Sequence, residues 1–362
     1  MLGEDGAPFL ELIKDKAYII EGRAWVNNHA HILKSHFGEI GNKYLMHYLN
    51  IFNYHGYVNG TTRLKLTQAS MNTIPVPLPP LTEQKRIVEQ IENLFTKLDE
   101  AKEKAQAVVD TFETRKATVL HKAFTGELTA RWRTENTRTL DSWHLKTIDE
   151  ICEDIKVGIV IKPSQYYTDS VCGTPAFRSA NVRENHINNF DWVYLNENGM
   201  KENRRSIVHA GDVLIVRSGN PGTACVVTEE FDGYNAIDVL IAVPNPKVLL
   251  PEYLSLFTNS PLGKKTIAEG KRGMALAHFN VKSYSKVEIL LPLLDEQKEI
   301  IHILQKIMSD EQQAKEVAES VLDQIDIMKK AILARAFHGE LGTNNLEEES
   351  SIELLKSVLK EG

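Results

Sequence analysis

The 362-residue sequence has no apolar run near the ~18 residues that a membrane-spanning helix needs. Cysteine is scarce: Cys152, Cys172 and Cys225 are far apart and form no Cys-x-x-Cys pair. An odd, scattered set argues against a disulfide framework and a zinc ribbon. The start, Met1-Leu2-Gly3-Glu4-Asp5, is acidic and short of apolar residues, so no secretory signal is visible and the cytoplasm is the expected compartment. There is no GxxxxGK phosphate loop, no HExxH and no glycine-rich cofactor fingerprint after a strand. His29, His31 and His36 lie close together, but no cysteine or carboxylate set completes a metal site around them. No metal site is expected. Positive charge is not in excess: 42 Lys and Arg stand against 49 Asp and Glu, a net charge of −7. That argues against coating a polyanion by bulk charge, but leaves room for a local basic surface.

What is present is an ordinary globular composition, 42% hydrophobic and 25% charged. Its length suits two or three domains. The decisive feature is an internal repeat. Residues 79–128 align without a gap on residues 292–341, at an offset of 213, with 19 of the 50 paired positions identical. The copies open Pro79-Pro80-Leu81-Thr82-Glu83-Gln84-Lys85 and Pro292-Leu293-Leu294-Asp295-Glu296-Gln297-Lys298. They close Ala123-Phe124-Thr125-Gly126-Glu127-Leu128 and Ala336-Phe337-His338-Gly339-Glu340-Leu341.

Each copy reads as one long helix. Thr82 and Asp295 are the expected N-caps, and Gly126 and Gly339 the expected C-terminal stops. Some 40 residues at ~1.5 Å each make a rod of about 60 Å. Apolar residues step by four and three along Ile87, Ile91, Leu94, Leu98, Ala101, Ala105, Val108 and Phe112, then Arg115 and Val119. The second copy repeats the pattern along Ile300, Leu304, Ile307, Glu311, Ala314, Ala318, Val321, Ile325, Met328 and Ile332. This is a coiled-coil heptad, with Arg115 and Glu311 as polar positions that set register or lie at its rim. A compact domain between the helices would return the chain near its starting point, which predicts an antiparallel pair.

Residues 134–291 read as mixed β-structure with short helices. Strand-length apolar runs at 212–216, 224–227 and 238–243 are separated by turn signals such as Gly219-Asn220-Pro221-Gly222, and a helix is expected from Pro251. Residues 1–78 resemble the later half of the same kind of domain, because Tyr44-Leu45 echoes Tyr253-Leu254. On that alignment about 80 residues that would complete the first domain have no counterpart. The acidic end, with Glu347, Glu348, Glu349, Glu353 and Glu361 against Lys356 and Lys360, is expected to be solvated and partly disordered.

These features together resemble the specificity subunit of a type I restriction-modification system. The most specific marks are the Pro-x-Leu-x-Glu-Gln starts at 79–84 and 292–297 and the Ala-Phe-x-Gly-Glu-Leu ends at 123–128 and 336–341. The Gly211-Asp212-Val213-Leu214 strand entry and the Trp25-Val26-Asn27-Asn28-His29 segment add to them. The resemblance implies an α+β fold, in which mixed-sheet target-recognition domains are linked by two long conserved helices packed as an antiparallel coiled coil. It divides the chain into a partial first recognition domain (1–78), a first conserved helical region (79–133) and a complete second recognition domain (134–291). A second conserved helical region (292–342) and the acidic tail (343–362) follow.

It further implies a non-catalytic subunit that reads a bipartite DNA target, with the helical pair as spacer. The implied partners are double-stranded DNA, modification (methyltransferase) subunits that methylate adenine, and restriction (motor-endonuclease) subunits. S-adenosylmethionine, ATP and Mg are expected on those subunits only, in line with the missing Asn-Pro-Pro-aromatic motif here. Self-association is one way to replace the missing half-domain. A silent fragment that binds modification subunits without full recognition, and a coiled-coil scaffold unrelated to DNA, remain alternatives.

Base reading needs bidentate donors and amides, while phosphate contacts give registration. The candidates in the complete domain are Lys162, Ser164, Arg178, Ser179, Asn181, Arg183, Arg217, Lys271, Arg272, His278 and Asn280, with Asn59 and Arg63 in the partial domain. Leu81, Glu83, Gln84 and Phe124, with Leu294, Glu296, Gln297 and Phe337, are the candidate partner dock. Capping and helix entry would explain the same helix-start residues.

Overall fold

The structure, a computed structural model, describes residues 1–269, 279–342, 347–348 and 350–361. The chain divides into two compact units. Unit 1 comprises Met1–Asp110 and Ala314–Gly362, and unit 2 comprises Thr111–Gln313.

Two helices of 44 residues, Leu81–Phe124 and Leu294–Phe337, each contribute one end to each unit. Neither contains an internal Gly or Pro. Gly126 and Gly339 follow with φ 83 and φ 80, the left-handed conformation that ends a helix cheaply only at glycine. The N-terminal expectation needs correction. Both helices begin one residue ahead of Thr82 and Asp295, so these lie inside the first turn. Gln84 and Gln297 hold that turn instead, each donating its side-chain amide at 2.9 Å to the carbonyl of Pro79 or Pro292.

Within each unit the helices run antiparallel. In unit 1, Ile87, Val88 and Ile91 share a core with Leu333 and Ala336, and Lys329 bonds Asp99 at 2.6 Å. In unit 2, Leu120, Ala123 and Phe124 share a core with Ile300 and Leu304, and Arg115 pairs with Glu311 at 2.7 Å. The first seam is buried or half-buried from Ile87 to Phe112. The second departs from expectation at Ala314 and Met328, which are exposed, while Lys315, Ala318, Ile325 and Lys329 turn inward. Ala318 and Ile325 keep the expected heptad phase, so the departures are local to Ala314 and Met328. The Lys329 stem lies on the Phe95 ring, with its ammonium 5.1 Å from the centroid.

Unit 2 is built on an antiparallel four-stranded sheet in the order Ala224–Val226, Val213–Val216, Val239–Pro244, Cys152–Val157. Its strands read as unbroken apolar runs because both faces are covered. Val213, Ile215, Leu240 and Ala242 face the helix Pro251–Asn259 and the ends of the long helices. Leu214, Val216, Val239 and Ile241 face Phe177, Val182, Val208 and Phe231. A second four-stranded sheet, Asn235–Ala236, Thr174–Phe177, Val193–Leu195 and Tyr167–Thr168, contains one parallel pair, Asn235–Ala236 with Thr174–Phe177. The strand Glu288–Leu291 pairs antiparallel with His144–Thr147.

Unit 1 is sparser. Leu2–Gly3 pairs with Ala30–His31, and the helix Gly38–Ile51 packs Leu49 beside Leu2, Phe9, Tyr54 and Leu66. The end expected to be solvated and partly disordered forms a helix, Ser351–Glu361. No Gly or Pro breaks that segment, and leucines at 354, 355 and 359 give it one apolar face. Glu348, just before it, accepts Arg86 at 2.7 Å and Thr82 at 2.8 Å.

Candidate nucleic-acid interface

Three chain segments leave the same end of the unit 2 sheets. Ala236 pairs in parallel with Phe177, and Ile159 bridges in parallel to Ile237. The Phe177 carbonyl accepts the Ile237 amide at 2.8 Å, and the Ile159 carbonyl accepts the Asp238 amide at 3.1 Å. The residues that follow therefore emerge side by side: Val160-Ile161-Lys162, Arg178-Ser179 and Asp238. Arg217, ending its strand, joins them by donating to Asp238 at 2.6 Å and to the Phe279 carbonyl at 3.1 Å.

The candidate residues differ in what they already hold. Lys162 is exposed in a left-handed turn (φ 44) ahead of the 3-10 turn Pro163–Tyr166, and Ser164 beside it is exposed. Arg178 bonds the Asp191 carbonyl at 2.5 Å and its carboxylate at 3.1 Å, while its buried Nε has no partner among the described residues. Arg183 is exposed and donates to the Ser179 and Val182 carbonyls at 3.2 and 2.9 Å.

Asn181 is fully buried. Its amide receives the Arg178 N–H and donates to the Asn188 and Phe190 carbonyls, so it braces the loop instead of presenting a reading edge. Asn280 caps the helix Val281–Ser285 through a capping box with Ser283. Lys271, Arg272 and His278 lie outside the described residues. In unit 1, Asn59 pairs by backbone with Lys65, and Arg63 bonds Asp5 at 2.7 Å with most of its side chain exposed.

The hairpin Val182–Arg183/His186–Ile187 turns at Asn185, φ 60. It is pinned by Glu184, which accepts Lys264 at 2.6 Å and Lys116 at 2.9 Å. Burial alone would raise the pKa of Glu184, but hydrogen bonds from the two lysines bring it below the ordinary range. Both ammonium groups are thus already engaged by one carboxylate there.

At the helix starts, Leu81 is exposed and Leu294 half-buried, whereas Glu83, Gln84, Glu296 and Gln297 are buried. Glu296 accepts Arg133 at 2.6 Å, Thr129 at 2.7 Å and Trp143 Nε1 at 3.0 Å. Arg133 also donates to the Gly126 carbonyl, so this carboxylate locks the end of one long helix to the start of the other within unit 2. Glu83 is bonded by Arg86 at 2.5 Å. Phe124 is core, and Phe337 is half-buried against Tyr44 and Tyr48. Of these helix-start and helix-end candidates only Leu81 is exposed, while Leu294 and Phe337 are half-buried.

Sequence reading missed Thr129, Arg133 and Trp143, which lie 153 to 167 positions from Glu296 with no local spacing to link them. It also missed Asn50 and Asn259. Asn259 accepts the Ala224 N–H at 2.9 Å and donates to the Ala224 carbonyl at 2.8 Å. Asn50 does the same to Ala17, at 2.8 and 2.9 Å. The signal was available: both asparagines follow their Tyr-Leu pair by the same spacing. His31 gives its Nε2 to the Leu66 carbonyl at 2.8 Å, and among the described residues no group of His, Cys, Asp and Glu is placed to hold a metal. Among them too, no helix is long and apolar enough to cross a membrane.

The family profile "type I restriction modification DNA specificity domain" matches residues 14–109 and 141–319. The chain is 27% identical over 285 residues to the type I restriction enzyme EcoKI specificity subunit of Escherichia coli K12, covering 75% of this chain and 59% of that protein. It is 23% identical over 288 residues to the EcoBI specificity subunit of Escherichia coli, covering 76% of this chain and 60% of that protein. The chain thus spans about three-fifths of the length of these relatives. The HsdS subunit from Thermoanaerobacter tengcongensis shares the fold, with a TM-score of 0.56 at 21% identity over 83% of this chain and 70% of that one. With the profile matched across most of its length, the chain belongs to the family of type I restriction-modification specificity subunits.

Proposed function

We propose that this chain reads DNA sequence for a type I restriction-modification complex, directing adenine methylation and restriction to a bipartite target. Unit 2 is the reader of one half-site. The observation that carries this reading is the convergence of Lys162, Arg178 and Arg217 at one end of the unit 2 sheets. Lys162 supplies a free ammonium for a phosphate. Arg178 and Arg217 each carry a guanidinium held by a single carboxylate, Asp191 or Asp238, that a base edge or phosphate can replace. The acidic total charge fits a reader that concentrates its cations at one end instead of coating the duplex.

The long helices are the spacer and the platform for modification subunits, with Leu81 and Leu294 as its accessible apolar residues. The chain itself carries out no chemical step. Methyl transfer with S-adenosylmethionine, and ATP- and Mg-dependent cleavage, belong to the modification and restriction subunits.

The test is co-expression with the cognate modification subunit, followed by purification and methylome sequencing of the host DNA. A split motif methylated on adenine supports the reading. A stable complex without methylation replaces it with the silent-fragment reading. No complex at all leaves only ancestry.

A further inference from the structure

The loops at the end of unit 2 where Lys162, Arg178 and Arg217 emerge turn in an uncommon way. Among the described residues five non-glycine positions have positive φ, and three of them are here: Lys162, Asp191 and Asp238, at 44, 59 and 51. Side-chain-bearing residues seldom adopt this conformation, and it persists where surrounding bonds fix it. Asp191 is held by Arg178, at 2.5 Å to its carbonyl and 3.1 Å to its carboxylate. Asp238 is held by Arg217 at 2.6 Å and by the Ile159 carbonyl, which accepts its N–H at 3.1 Å.

Two of these loops hold a large apolar side chain out into solvent. Ile161, next to Lys162, is 80% exposed. Ile159, which bridges to Ile237, is buried, so the change falls where the sheet ends. Phe190, next to Asp191, is 67% exposed. Its neighbours are committed: Asn189 accepts Trp192 Nε1 at 2.9 Å, and Trp192 packs against Phe177 with centroids 5.0 Å apart. The Phe190 carbonyl accepts the Asn181 amide at 3.0 Å, which anchors its backbone while the ring stays outside.

Single exposed apolar residues are ordinary on a protein surface. Position sets these two apart, since each adjoins a member of the polar set that would read DNA: Lys162, or the Asp191 that holds Arg178. Adjacent strands lie about 4.8 Å apart, so the segments carrying Ile161 and Arg178, which flank Asp238, are about 10 Å apart. That spacing fits a major groove ~12 Å wide and covers about three base pairs. A guanidinium finds its partners at guanine O6 and N7. The C5-methyl of thymine offers no hydrogen bond and is matched by apolar contact.

We infer, resting on unit 2 as a reader of DNA, that Ile161 and Phe190 are specificity-determining residues that read thymine through its C5-methyl in the major groove. They act beside the bases or phosphates met by Arg178 and Arg217. Contact withdraws the methyl and part of the exposed side chain from water, and one such group is worth about a fourfold change in affinity.

The test uses the full chain in complex with the cognate modification subunit, and a duplex carrying the target found by methylome sequencing. Each thymine on either strand is replaced singly by uracil, which lacks only the methyl. The unsubstituted complex is expected to bind about fourfold more weakly when a particular thymine of one half-site is replaced. Ile161→Ala or Phe190→Ala is expected to abolish the preference for thymine over uracil at that position, so that protein and DNA changes are coupled. Both side chains are exposed, so melting temperature and assembly with the modification subunit are expected to stay unchanged. No effect of uracil at any thymine, or an effect undiminished in both variants, overturns the inference. Loss of assembly in either variant overturns it in favour of a protein-binding role for the apolar pair. If the unsubstituted complex shows no sequence-specific binding, the DNA-reading assignment fails and the inference falls with it. Specific binding without the thymine coupling is failure of the inference alone.

Discussion

Tyr44 packs edge-on against Phe337 with ring centroids 5.1 Å apart, and Tyr253 packs in the same way against Phe124 at 5.3 Å. Phe124 and Phe337 are the same position in the two repeats, each at the end of a long helix. Each tyrosine also sends its hydroxyl to the segment that leads into a long helix, Pro77 before the first and the strand residue Leu290 before the second. One side chain thus ties a short helix, a strand and a long-helix end together. Phe124→Ala is expected to destabilise unit 2 by about 3–5 kcal/mol, and Phe337→Ala, half-buried, to cost less. Chemical denaturation of each variant measures the difference.

The buried Arg133–Glu296 pair predicts a second asymmetry. Glu296→Ala leaves the guanidinium and the Trp143 N–H without their carboxylate, at a cost of about 3–5 kcal/mol. Arg115→Met, which removes the half-buried pair with Glu311, is expected to cost about 1 kcal/mol or less. Urea unfolding followed by tryptophan fluorescence separates the two. Equal losses would contradict the burial argument.

Asn50→Ala strands the Lys16 and Ala17 N–H groups and the Ala17 carbonyl, whereas Asn259→Ala strands the Ala224 N–H and leaves the Ala224 carbonyl to Asn185 N–H at 2.8 Å. A loss of about 2–4 kcal/mol is expected from either. The first should speed amide exchange in unit 1 and the second in unit 2.

His47 gives a pH signature. Its ring is buried against Phe95 and its Nε2 has no hydrogen-bond partner among the described residues. Burial lowers its pKa to about 4, opposed by the Glu92 and Asp15 carboxylates and assisted by Lys43 and Lys330. The unfolded chain therefore binds the proton more readily than the folded one, and stability falls as pH drops from about 6.5 toward 4. The loss is on the order of 3 kcal/mol. The equivalent position in unit 2 is Leu256, which is buried. His47→Leu should flatten the dependence of melting temperature on pH in that window. An unchanged slope would remove His47 as its cause.

Lys162 is the cleanest probe of DNA contact, since it is exposed and its removal disturbs no packing. Lys162→Ala should weaken binding of the methylation complex to its target. If the ammonium meets a phosphate, the slope of log affinity against log salt falls by about 0.9. A weaker complex with an unchanged slope would move Lys162 from phosphate contact to base reading or loop shape.

The parts of the fold readable in advance were those written in local periodicity. The heptads of the long helices, the stops at Gly126 and Gly339 and the doubly buried strand at Val213–Val216 follow from spacing that neighbouring residues impose on one another. The seam departs from the heptad at Ala314 and Met328, where the neighbouring Lys315 and Lys329 turn inward instead. In the site, Arg178 and Arg217 were legible as cations. That each is held by a carboxylate 13 or 21 positions away was not.

The sequence by itself determined the duplication and the kind of domain between the helices, because both are apolar patterns that burial must satisfy, and the direction of the helices, because a compact domain between them returns the chain near its starting point. Only the tertiary structure decided which polar groups are committed. Glu296 is held by residues more than 150 positions away, and Asn181 is enclosed by its own loop. A polar group's availability depends on what lies within about 3 Å of it, and partners at that range are brought together by the fold, not by adjacency in the chain.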